Sequence, residues 1–181
     1  MELKVKAQIM DKESFERALV RISHQIIEKN HGVENVCLIG IRTRGVPLAY
    51  RLAENIKKIE GADVPVGELD ITMHRDDLDH SEKTIDTGGT SIPFSIKDKT
   101  VVLIDDVIYT CRTARAAMDA VMTLGRPAKI QFFAMIDRGH AELPIKPNYV
   151  GKSIPTSKSE IVSVKLEELD GITNITILEQ I

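Results

Sequence analysis

The stretch VVLIDDVIYTCRT, residues 101–113, changes character twice. Val101, Val102, Leu103 and Ile104 make a short apolar, β-branched run, Asp105 and Asp106 follow as adjacent acids, and Val107, Ile108, Tyr109, Thr110, Cys111, Arg112 and Thr113 form a hydroxyl-bearing turn. Ala114–Leu124 then has helical spacing and is closed by Gly125 and Pro127. Strand, turn and helix are therefore predicted, with both carboxylates at the strand's carboxyl end. The same unit recurs upstream: Val36–Ile41 is an apolar run, Thr43, Arg44 and Gly45 a polar turn, and residues 46–59 an alanine- and leucine-bearing helix that stops at Gly61. Further strands are expected at Val66–Met73 and Ile130–Ile136, and a first helix over 12–29, where Phe15, Leu19, Ile22 and Ile26 follow the capping residue Asp11. Strands alternating with helices imply an α/β fold, a central parallel sheet flanked by helices, with ligands bound beyond the carboxyl ends of the strands.

The tail from 138 to 181 breaks this rhythm. Its short pieces, Tyr149–Gly151, Ile161–Leu166 and Ile175–Leu178, are separated by turns and predict a small appended β-rich subdomain. From His74 to about Pro93 the chain is polar with hardly an apolar anchor, the pattern of a mobile loop.

Over 181 residues, 43% are hydrophobic and 28% charged, near-average usage that excludes disorder, collagen and a coiled coil and fits one domain. A net charge of −3 means that any basic surface must be local. Cys37 and Cys111 lack CxxC or metal-ligand spacing, which fits a reducing compartment. No signal-peptide h-region and no long apolar run is evident, so the reading is cytoplasmic, with no membrane partner.

The residue types already suggest chemistry. Two carboxylates at a strand end can accept hydrogen bonds from sugar hydroxyls and place negative charge beside a centre that becomes cationic. Thr110, Arg112 and Thr113 at a helix N-terminus offer free N–H groups and a favourable dipole to a phosphate. Taken alone, the acids and the following Tyr-Thr read more simply as a solvated, capped turn. Ile41-Arg-Thr-Arg-Gly45 offers two guanidinium groups and glycine-assisted donors suited to pyrophosphate, and Arg75 stands beside two acids, Asp76 and Asp77. On the first helix, Arg17, Arg21 and His24 share one side, but Glu13 and Glu28 at spacings of four make an ordinary ion-paired face equally natural.

Residues 101–113 closely resemble the phosphoribosyl pyrophosphate (PRPP) signature of type I phosphoribosyltransferases. The resemblance implies that Asp105 and Asp106 hold the ribose 2′- and 3′-hydroxyls, that Val107–Thr113 cradle the 5′-phosphate, and that Thr43, Arg44 and Gly45 form a pyrophosphate loop with a cis peptide at Thr43–Arg44. It also implies that Arg75, at the start of a loop closing over the substrates, clamps the leaving pyrophosphate. Mg2+ is implied as PRPP's companion, with no direct protein ligand set.

The successive DRGH, ELPI, YVGK and IPTSK segments between 137 and 158, RALVRISHQIIEKN at 17–30 and GRP at 125–127 narrow the likeness. They resemble the bifunctional pyrimidine operon attenuation proteins that are also uracil phosphoribosyltransferases, over essentially the full length. That likeness implies a single 1–181 domain with a hood from about 138–165, uracil as base, UMP as product and uridine nucleotides (UMP, UTP) as effectors. Arg138 would offer donors to a base carbonyl, and main-chain groups around Lys158–Val162 would complete base recognition. It further implies a homodimer or higher homo-oligomer that binds the leader hairpin of pyrimidine-operon mRNA, with Arg21, His24, Lys29, Lys146 and Lys152 available for the RNA. Two positions depart from the pattern. Cys111 replaces a common glycine and reads either as a tolerated small residue or as one that weakens PRPP binding or makes the turn redox-sensitive, with a thiol pKa lowered by the helix N-terminus; Val20 removes a hydroxyl from the RNA face. A regulator with vestigial transferase activity and a purine phosphoribosyltransferase remain the alternatives.

Overall fold

The computed structural model describes residues 3–76 and 89–181. In chain order these form β1 (Leu3–Met10), α1 (Lys12–Lys29), β2 (Val36–Ile41), α2 (Gly45–Glu60), β3 (Val66–Leu69), β4 (Thr100–Ile108), α3 (Arg112–Leu124), β5 (Lys129–Asp137), β6 (Tyr149–Ser153), β7 (Ile161–Lys165), the single turn α4 (Glu167–Asp170) and β8 (Asn174–Gln180). Residues 77–88, most of the expected mobile loop, lie outside the described residues.

Five strands in the order β3-β2-β4-β5-β6 form a wholly parallel sheet. All six residues of β2 are buried, as a strand covered on both faces requires. The period of two along the strands divides the core. Leu38, Val102, Ile104, Phe133 and Met135 face α1 and α2, where Phe15, Leu19, Ile22, Ile26, Leu48, Leu52 and Ile56 pack. Cys37, Ile39, Val101, Leu103 and Ala134 face α3, whose contact side is built from Ala114, Ala117, Ala120 and Val121. Asp11 caps α1 by accepting from the Ser14 N–H at 2.8 Å.

Two departures from expectation have local causes. β3 ends at Leu69, short of Met73, because the Asp70 carboxylate accepts from the Thr72 N–H at 2.9 Å and starts a 3-10 turn over Thr72–His74. β4 continues past Ile104 to Ile108, so both acids are carried on a strand still paired with β5 through Asp105–Ala134 and Val107–Ile136.

The tail is divided between two sheets. β6 is the fifth parallel strand of the main sheet, while β7 and β8 join β1 in an antiparallel sheet ordered β1-β8-β7. The sequence reading overlooked β1: its mostly exposed alternation becomes a strand by pairing with β8, at the other end of the chain. Val164, Leu166, Ile175 and Ile177 seat this small sheet on the core beside α1 and α2.

Candidate active site

A cavity of about 770 Å³ opens beyond the carboxyl ends of β2, β3 and β4, lined by Arg42–Arg44, Glu68, Asp70, Arg75, Asp105, Asp106, Thr113 and Leu169 among others. A second hollow, about 340 Å³, is enclosed by Tyr109–Ala114 and Glu142 and shares Arg75, Asp105, Val107 and Thr113 with the first. The sequence therefore folds two anion-suited turns onto the rims of two adjoining hollows, with Asp105 lining both and Asp106 the larger.

Asp105 is nearly buried, 8% exposed. Its Oδ1 accepts from the Asp106 N–H, and Asp106 Oδ1 accepts from the Val107 N–H, both at 2.9 Å, so each carboxylate is aimed by the next backbone amide. Burial first, and the Asp106 charge second, push the Asp105 carboxyl well above the ordinary carboxylate range, against a pull from Arg75. Such a carboxyl gains strongly from hydroxyl donors or positive charge arriving in the depression.

Beyond the acids, Cys111 takes the N-cap position of α3 with φ of 73°, the left-handed region that glycine enters without steric cost. The side chain is buried and its Sγ lies 3.4 Å from the Ile145 carbonyl oxygen. Burial, then the charge of Asp137, raises the thiol pKa, which corrects the expectation that the helix terminus lowers it. Cys37, within the core, is pushed up to about 11 by burial. Arg112 lies outside the turn, its Nε on Glu142 and its Nη1 on Asp76, each at 2.9 Å. Its backbone N–H faces Thr110 Oγ1 at 3.4 Å.

The turn after β2 has a cis peptide at Arg42–Thr43, one bond before the expected Thr43–Arg44. Gly45 begins α2, and a Cβ there would sit 2.1 Å from the Ile104 carbonyl oxygen; only glycine lets this turn lie against β4. No side chain caps α2, and its first N–H groups remain without intrahelical partners. Arg42 Nη2 is 2.6 Å from Glu68, while Arg44 donates through Nε to the Val164 carbonyl at 2.7 Å and through Nη2 to both Asp170 oxygens at 3.0 and 3.2 Å.

Arg138, at the end of β5, is also buried. It donates to Thr156 Oγ1 at 3.0 Å and to the carbonyls of Ser157 and Glu160 at 2.9 and 2.8 Å, and its guanidinium lies 4.1 Å from the Tyr109 ring centroid. His140 contacts the other side of this group, edge-on to Tyr109 and 2.6 Å from the Thr156 carbonyl oxygen. Arg138 thus fastens the 156–160 segment to the turn after β4. Val162 stands on β7, half-buried and paired with Ile177.

Of the basic residues, Arg21 reaches the carbonyls of Val150 and Gly151 on β6, and Lys29 stacks 5.3 Å from the Tyr149 ring centroid. These gather with Lys152 where α1 meets β6, while His24 and Lys146 are exposed nearby in sequence. Arg17 alone forms the ion pair expected of a solvated face, with Glu13. The functional groups that sequence reasoning missed are Glu68, Asp170 and Glu142, carboxylates that meet arginines 26, 126 and 30 positions away and leave no local signal.

Residues 6–169 match the phosphoribosyl transferase domain model. Fold and site together define a type I phosphoribosyltransferase. Among solved structures, hypoxanthine phosphoribosyltransferases share the fold: the Trypanosoma cruzi enzyme has a TM-score of 0.74 at 15% identity, with 97% of this chain and 96% of that one covered. The Staphylococcus aureus enzyme has a TM-score of 0.71 at 18% identity, with coverage of 97% and 92%. Curated relatives lie much nearer. Bifunctional protein PyrR of Pelotomaculum thermopropionicum is 59% identical over 174 residues, 96% of both chains, and that of Acetivibrio thermocellus 58% identical over 172 residues, 95% of this chain and 94% of the relative. The chain belongs to this family, the bifunctional pyrimidine operon attenuation proteins that are also uracil phosphoribosyltransferases.

Proposed function

We propose that the depression at the carboxyl edge of the sheet converts uracil and PRPP to UMP and pyrophosphate, with each rim holding one phosphate group. The observation that carries this reading is the position of the acids: Asp105 lines both hollows and Asp106 the larger one, on a strand end between the two turns, which suits a ribose spanning both. Asp105 and Asp106 accept the 2′- and 3′-hydroxyls. The amides of 107–113 and the α3 N-terminus take the 5′-phosphate, and the uncapped α2 N-terminus with Thr43, Arg44 and Gly45 takes pyrophosphate. Arg75, which lines both hollows, clamps the leaving group. As the bond to pyrophosphate lengthens, positive charge grows at the anomeric carbon, and the two carboxylates stabilise it in place. The segment fastened by Arg138 presents main-chain groups around Lys158–Val162 to the base.

Among the described residues no three His, Cys, Asp or Glu side chains gather into a metal-ligating group, while Asp105 and Asp106 supply hard oxygen atoms beside the depression. Those oxygens fit Mg2+ arriving with PRPP, which would offset the charge of the pyrophosphate.

Uridine nucleotides in the same site govern binding to a pyrimidine-operon mRNA hairpin, through the patch of Arg21, Lys29 and Lys152 with His24 and Lys146. The protein acts as a homo-oligomer, a dimer at least, in the bacterial cytoplasm. No helix among the described residues is long and apolar enough to cross a membrane.

Calorimetry with PRPP and Mg2+, followed by a base panel with labelled PRPP, tests the enzymatic reading. Heat on PRPP addition and incorporation of uracil are expected. Incorporation of hypoxanthine or guanine in its place, or no heat, overturns it. Gel shifts on the operon leader with and without UMP test the regulatory half.

A further inference from the structure

Both arginines of the turn after β2 line the 770 Å³ depression, and each already carries a carboxylate from elsewhere in the chain. Glu68 comes from β3, at the sheet edge. Asp170 comes from α4, which joins β7 to β8 in the small sheet, and its Oδ2 also accepts from the Leu166 N–H at 2.9 Å. The Arg44 contact is a fork, two carboxylate oxygens on one guanidinium nitrogen with Nε closed off by the Val164 carbonyl. These four side chains are 22 to 35% exposed, sheltered enough for their charges to act on a neighbouring ligand.

The consequence is electrostatic. A turn presenting two uncompensated guanidinium groups beside an uncapped helix N-terminus would grip a polyanion tightly in both substrate and product. Tight holding of product slows its release and adds nothing to the chemical step. With Glu68 and Asp170 in place, these four side chains carry a net charge close to zero, and the grip of the turn is left to directed N–H groups, which position the anion with less Coulombic attraction.

We propose that Glu68 and Asp170 are internal counter-ions of the pyrophosphate turn: positioning residues that hold Arg42 and Arg44 and weaken the hold on PRPP and on released pyrophosphate. This rests on the reading of the turn as the pyrophosphate site. It assigns the two carboxylates a role in substrate and product affinity distinct from simply bracing the turn.

Asp170→Asn keeps an oxygen acceptor for Arg44 and removes the charge; Glu68→Gln does the same for Arg42. For each variant the expected result is inhibition by pyrophosphate tightened about threefold to tenfold, with the KM for PRPP lowered in parallel. Turnover becomes limited by release, the gain shrinks as salt rises, and the affinity for UMP, which lacks pyrophosphate, is unchanged. Asp170→Glu restores wild-type values. Unchanged pyrophosphate inhibition in both variants, or a raised KM for PRPP with a lowered melting temperature, overturns the proposal and makes the pairs mere struts. Should one variant fail to fold, the other decides. If the wild-type protein binds PRPP and pyrophosphate while the variants show no tightening, only this inference falls; if the wild type binds neither, the reading of the site falls with it.

Discussion

The turns after β2 and after β4 stand side by side at the same sheet edge and each pairs arginine with distant carboxylates, Arg112 with Glu142 and Asp76 after β4, but they differ in how their remaining groups are held. After β4, the chemistry-bearing groups are consecutive: Asp105 and Asp106 are oriented by the amides that follow each of them. After β2, the charged side chains face partners remote in sequence, with Arg42 on Glu68 and Arg44 on Asp170. A turn that carries its own chemistry can be read from a linear string. One whose charges are cancelled by distant residues cannot.

The sharpest way to break this contrast is to remove both acids at the end of β4. Asp105→Asn combined with Asp106→Asn is expected to reduce UMP formation by at least about a thousandfold, through lost stabilisation of developing positive charge, while the fold survives; a radiometric assay with circular dichroism checks both. Near-wild-type turnover would refute the assignment of the two acids.

A smaller loss is expected at the rear of the phosphate turn. Arg138→Ala leaves the Ser157 and Glu160 carbonyls without their buried donor and frees the segment beneath the base. The KM for uracil should rise about tenfold, with that for PRPP changed much less, in steady-state kinetics. An equal rise in both would mean that Arg138 supports the whole site.

Smaller again is a stability effect with an unusual sign. The Asp105 carboxyl titrates higher in the fold than in the unfolded chain, where 3.8 is the reference value. The native state therefore binds its proton more tightly, and this group destabilises the ligand-free fold as pH rises through and above the ordinary carboxylate range. Asp105→Asn removes that cost: thermal scans should show a gain of a few degrees at pH 7 that vanishes near pH 4. A loss at pH 7 would mean that the carboxylate is held by attractive partners.

The smallest effect concerns Cys111. Glycine at this position relieves a left-handed backbone but gives up a buried side chain and adds freedom to the unfolded chain, terms of about 1 kcal/mol each, one stabilising and two destabilising, that leave a small net loss. Cys111→Gly should leave stability within about 1 kcal/mol and the KM for PRPP within about twofold. Being buried with a raised pKa, the native thiol should react with alkylating reagents only slowly. Rapid native-state labelling would restore the redox-sensitive reading.

Much of the architecture was legible because it is written in short-range patterns. The apolar run of β2, the 3.6-residue spacing of α1 behind Asp11, and the glycine stop of α2 all concern neighbours within a few positions, and the elements fall almost where those patterns put them. The family likeness in residues 101–113 and in the hood segments belongs to the same kind of information. β1 was lost because its alternation is exposed and acquires meaning only from β8. The cis peptide sits at Arg42–Thr43, a one-bond displacement that side-chain types do not encode.

The sequence by itself determined a parallel α/β sheet with paired acids ahead of an anion-suited helix start, since periodicity and adjacency are properties of the string. The tertiary structure decided which charges remain available to a ligand. Glu68, Asp170 and Glu142 reach their arginines only after the chain has closed over tens of residues, and a charge–charge energy depends on separation in space, for which separation in sequence is no guide.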